Sequence, residues 1–92
     1  MTQALHEMVN IGKNMARALA AVGIATPEAL KTAGSQEAFI RLAAAGVRNM
    51  DIAKLAALEG AIQDKKKYAL DEATRIRLEI FYQRYTASAT LK

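Results

Sequence analysis

Apolar residues recur along the chain at spacings of three and four, and no segment sustains the strict alternation of a strand. Met15, Ala16, Leu19 and Val22 mark the inner side of a helix from about Lys13 to Val22. Gly23 is its expected stop, with Ile24 just beyond as the apolar contact that accompanies a left-handed helix end. Thr26-Pro27-Glu28 then opens a short helix to Ala33, because threonine caps, proline suits the first helical position and an acid favours the first turn. Gly34 ends that helix. Ser35 reads as the cap of the next, with Glu37 in its first turn, Phe39, Leu42 and Ala43 inward, and Gly46 as its end.

Asn49 is the expected cap of a helix to about Gln63. Ile52, Leu55, Leu58 and Ile62 make this helix apolar nearly all round, which predicts a central position. Lys65-Lys66-Lys67-Tyr68 reads as a basic loop. Asp71 caps the last helix, to about Thr86, and residues 87–92 read as a frayed tail. At the other end, residues 2–9 read as a short first helix with Leu5, Met8 and Val9 on its apolar side, followed by the turn Asn10-Ile11-Gly12. The expected fold is all-α: a compact bundle of five to six short helices in one domain over residues 1–92, with an ordered core from about 3 to 86.

Composition narrows the functional classes. At 52% hydrophobic the chain has enough apolar surface to fold, although much of it is alanine, which buries little area per residue. It has no cysteine, so disulfides, thiolate chemistry and zinc–sulfur sites are excluded. The first residues lack the basic head and apolar run of a signal peptide, and no stretch matches a membrane span, so the expected location is the cytoplasm. The net charge of +4 lies toward the end of the chain, where Lys65, Lys66, Lys67, Arg75, Arg77, Arg84 and Lys92 outnumber Asp71, Glu72 and Glu79.

An ordered series of short motifs carries a family likeness. Asn10-Ile11-Gly12-Lys13, Val22-Gly23-Ile24, Thr26-Pro27-Glu28, Gly34, Glu37-Ala38, Arg41-Leu42, Ala45-Gly46 and Ala57-Leu58-Glu59-Gly60-Ala61 resemble, in that order, the C-terminal domain of TfoX-like proteins. The likeness covers roughly residues 8–82. It implies a small helical domain with a helix-hairpin-helix-like N-terminal half. Full-length members of this kind carry a separate N-terminal domain, and some regulate competence for DNA uptake.

Three groups of residues are candidates for a function. Asn10, Gly12, Lys13 and Arg17 surround a helix N-terminus, where outward N–H groups suit a phosphate, and Lys65, Lys66 and Lys67 would add charge. Asparagine tolerates left-handed backbone, but its side chain could bond locally and occupy the N–H groups a phosphate needs. The alternative is a purely structural turn with Ile11 in the core.

The second group lies on the last helix, where Ala73, Ile76 and Ile80 form one stripe and Leu78, Phe81, Tyr82 and Tyr85 another. One stripe can cover the core of so small a domain; the second, aromatic one is the expected protein interface, the alternative being that the bundle wraps both stripes with the arginines snorkelling between. The third candidate is Glu59, on the apolar side of the central helix. It is expected to be a buried structural carboxylate, bonded to backbone N–H groups or paired with an arginine such as Arg41.

Gly60, beside Ala53, Ala56 and Ala57, is expected to permit close helix packing. His6 reads as a surface residue, and no pattern suits a metal, a cofactor or a small-molecule substrate. The expected partner is protein, including a second copy as a homodimer. DNA is the alternative.

Overall fold

The computed structural model describes residues 4–90, with side chains as far as 88. Five α-helices follow one another: α1 (Lys13–Ala21), α2 (Pro27–Ala33), α3 (Ser35–Ala44), α4 (Ile52–Gln63) and α5 (Glu72–Thr90). Single 3₁₀ turns at Leu5–Glu7 and Lys67–Ala69 precede α1 and α5. The described residues contain no strand, and the fold is all-α.

The helix ends follow from local chemistry. α1 closes with Gly23 N–H donating to Ala20 O at 3.1 Å and Ile24 N–H reaching back to Leu19 O at 2.9 Å. Gly23 takes φ +87°, and Leu19 and Ile24 meet in the core, which completes the glycine stop. α3 repeats this at Gly46, where Val47 N–H bonds Leu42 O at 3.1 Å. α4 does the same with Asp64, a non-glycine residue at φ +60°, in the left-handed position. At the helix starts, Thr26 Oγ1 accepts from Ala29 N–H at 3.0 Å and Asp71 Oδ1 from Thr74 N–H at 2.8 Å.

Several expectations are corrected. The helix read over residues 2–9 is, among the described residues, only the 3₁₀ turn Leu5–Glu7, and positions 2 and 3 lie outside them. Ser35 is the first residue of α3 and caps nothing, because its hydroxyl is engaged by Glu59. Asp51, not Asn49, caps α4 by accepting from Lys54 N–H at 3.0 Å, while Asn49 takes a left-handed φ of +61° in the turn before it. α5 continues through 87–90, part of the expected tail, and the rest of that tail lies outside the described residues.

α4 is the hub. It packs against α2, α3, α5 and the Lys67–Ala69 turn, and Leu55, Leu58 and Ala61 are buried in the core. Around them gather Leu19, Ile24, Leu30, Phe39, Leu42 and Leu78, each contributing about 1.5–3 kcal/mol by leaving water. Leu5, Met8 and Ile11 bring the opening segment into the same core.

Candidate functional site

The turn before α1 is fixed from a distance. Asn10 adopts φ +70°, which directs Ile11 into the core and leaves Gly12 as the extended N-cap of α1. Its side chain does not bond the N–H groups of α1. Asn10 Nδ2 donates to Lys65 O at 2.8 Å and, at 3.4 Å, to Ala57 O. Asn10 Oδ1 accepts from Lys67 N–H at 3.2 Å. The local capping expected of this asparagine is therefore replaced by a bridge to the basic segment after α4.

Gly60 makes that bridge feasible. A Cβ placed on it would stand 2.5 Å from both Asn10 Nδ2 and Lys65 O. The close approach that requires glycine is thus to a loop and an amide, not to the neighbouring alanines. The consequence for charge is a grouping. Lys65, Lys66 and Lys67 are exposed and their backbone is held at Asn10, two residues before Gly12 and three before Lys13, both also exposed. Arg17 is exposed one turn further along α1, and Asp64 offsets part of the positive charge. Tyr68, the last residue of the basic loop, is 72% exposed beside the lysines and adds a surface aromatic outside the candidate set.

Glu59 joins three helices. Ser35 Oγ on α3 donates to Oε1 at 2.6 Å, and Gln63 Nε2, one turn along α4, donates to Oε2 at 2.6 Å. Arg77 of α5 stands 3.8 Å from Oε2. The Glu59 side chain is 13% exposed and that of Arg77 60%, so the direct hydrogen bonds carry more than the ion pair. Arg41, the expected partner, instead binds Glu37 one turn away at 2.8 Å and reaches Val22 O at 3.4 Å. Every other acid among the described residues is exposed, and no group of three or more potential ligand side chains converges there as a metal site would require.

α5 is apolar on two opposite sides, and the structure reverses their expected assignment. Leu78 is 2% exposed, and Phe81, Tyr82 and Tyr85 pack on the buried ring of Phe39. The three ring pairs with Phe39 have centroids 6.0, 6.1 and 5.3 Å apart, all edge to face. Leu78, Phe81, Tyr82 and Tyr85 therefore serve the core, and the outward side carries Ile76, 49% exposed, and Ile80, 47% exposed. The usable signal was size: aromatic rings bury more area than isoleucines, so the core takes the aromatic stripe. No helix among the described residues is long and apolar enough to cross a membrane.

Comparison with known proteins follows the same architecture. The family model for the TfoX C-terminal domain matches residues 1–82. The crystal structure of an uncharacterized protein from Listeria monocytogenes, in a triclinic form, superposes with a TM-score of 0.86 at 40% identity, covering 91% of this chain and 94% of that one. A protein of unknown function from Listeria monocytogenes, in a tetragonal form, gives a TM-score of 0.77 at 42% identity, covering 83% and 92%. No curated protein matches the chain.

Proposed function

This chain belongs to the TfoX C-terminal domain family, and from that premise we propose that it is a non-catalytic interaction module that binds protein in a regulatory role. One observation carries the reading. The outward side of α5 keeps Ile76 and Ile80 about half exposed, one turn apart, after the aromatic side has satisfied the core. Single exposed apolar residues are ordinary, but a row along the longest helix is interface material. The acid inside the bundle, Glu59, has its oxygens engaged by Ser35 and Gln63, which suits a structural tie better than a general base. The test is capture of protein partners by the full chain, with nuclease present, together with its size by light scattering. Ile76→Lys with Ile80→Lys is expected to abolish association while leaving helicity unchanged. Association untouched by the double substitution would overturn the reading.

A second reading, a helix-hairpin-helix-type DNA-binding protein in competence or transcription regulation, is favoured by the Asn10 bridge. The bridge supports a shared basic corner formed by Lys13 and Lys65–Lys67. Such binding rests on phosphate contacts, so it falls steeply with salt and is indifferent to sequence. The measurement is anisotropy of labelled duplex at low salt, with Lys13→Glu and Lys66→Glu each expected to weaken binding on every sequence alike. Absence of binding at low salt removes this reading.

A further inference from the structure

We infer that the outward side of α5 is a self-pairing surface, and that its occupant is a second copy of this chain lying parallel to the first. The inference rests on the protein-interaction reading and adds the partner and the geometry. Written as a heptad beginning with Glu72 at g, α5 places Ala73, Ile80 and Ala87 at a, and Ile76 and Gln83 at d. Glu72 and Glu79 fall at g, and Arg77 and Arg84 at e. Apart from the exposed Arg75 at c, positions b, c and f from 74 to 85 hold Thr74, Leu78, Phe81, Tyr82 and Tyr85, the residues that this helix turns toward its own bundle. The apolar seam residues Ile76 and Ile80 are thus left exposed, while Glu79 and Gln83 on one flank border a groove against Ile52 of α4.

Charge selects the direction. In a parallel pair each g position faces the partner's e position five residues on. That sets Glu72 against the partner's Arg77 and Glu79 against the partner's Arg84, and twofold symmetry repeats both pairs. An antiparallel pair would set arginine beside arginine and glutamate beside glutamate. All four charged side chains are exposed, and Arg77, 3.8 Å from Glu59, still presents most of its surface to solvent. Alanine at two a positions lets the helices approach closely, while Gln83 at d and the short seam keep the association weak and concentration-dependent.

The chain has no cysteine, so an introduced one reports position without ambiguity. Ala73 and Ala87 are exposed and lie about 21 Å apart along the helix. Full-length Ala73→Cys and Ala87→Cys chains are each expected to form a disulfide-linked dimer with themselves under mild oxidation. Antiparallel pairing would link the two only when mixed, and would overturn the orientation. Sedimentation of the unsubstituted chain is expected to show a monomer–dimer equilibrium that Ile80→Lys abolishes. Glu72→Arg with Glu79→Arg should also abolish it, and mixing that chain with Arg77→Glu, Arg84→Glu should restore it. A monomer at every concentration, with neither cysteine chain cross-linking, overturns self-pairing. If foreign protein capture is then still lost on Ile76→Lys with Ile80→Lys, the broader reading stands alone. If it is not, both fail.

Discussion

Asn10 and Gly60 meet with no room for a side chain between them: a Cβ on Gly60 would lie 2.5 Å from Asn10 Nδ2 and equally close to Lys65 O. Gly60 stands inside α4, where alanine would gain about 1 kcal/mol in helix propensity. Overpacking against a backbone carbonyl costs about 1–3 kcal/mol, and the displaced hydrogen bonds add to it. Gly60→Ala is therefore expected to destabilise the fold despite better propensity, measured as a lower midpoint in urea. A rise in the midpoint would mean that the loop yields freely.

The backbone at Asn10 separates two contributions. Asn10→Ala loses the bonds to Lys65 and Lys67 and also forces alanine to hold φ +70°, a left-handed backbone that asparagine tolerates better. Asn10→Gly loses the same bonds but not the backbone freedom. Both variants are expected to be less stable than the parent, with alanine the worse by about 1–2 kcal/mol in denaturant unfolding. Equal losses would show that the conformation carries no strain.

For Glu59 the expected order follows from who is left without a partner. Glu59→Ala strands the buried Ser35 hydroxyl and should cost about 1–3 kcal/mol. Glu59→Gln keeps an acceptor for Ser35 and should cost clearly less. Ser35→Ala removes donor and leaves Gln63 on the carboxylate, so it too should be milder than Glu59→Ala. Thermal unfolding of the three variants side by side decides the order.

Asp71 gives a pH signature. Hydrogen bonds from Thr74, with smaller help from Lys65 and Arg77, hold its carboxyl below the ordinary value of 3.8. A pKa lowered by folding means that the ionised cap contributes fully above the ordinary value, and that the contribution disappears as pH falls through the depressed one. The stability gap between the parent and Asp71→Asn is thus expected to hold steady near neutrality and to close below about pH 3.8. Urea midpoints across that range measure it, and a gap independent of pH would remove the role of the charge.

What could be read from the chain was what is settled within one turn of it. Gly23, Gly34 and Gly46 stop helices by local backbone geometry, and Thr26 and Asp71 cap residues three positions on. Ser35 looked like a cap by the same logic, but a carboxylate 24 residues away engages its hydroxyl. The two apolar sides of α5 were visible, whereas the choice between them depended on Phe39, a residue of another helix. Of the candidate basic residues, the segment 65–67 is joined to the first turn by an amide acting across 55 residues, which no local pattern encodes.

That amide has a mechanical consequence. Three consecutive lysines in a surface loop would ordinarily wander, and an anion landing on them would have to still them first. Here the backbone beneath Lys65 and Lys67 is already fastened to the chain's opening corner. Part of the loop's freedom is thus surrendered during folding, and the cost of ordering that backbone does not fall on a later encounter.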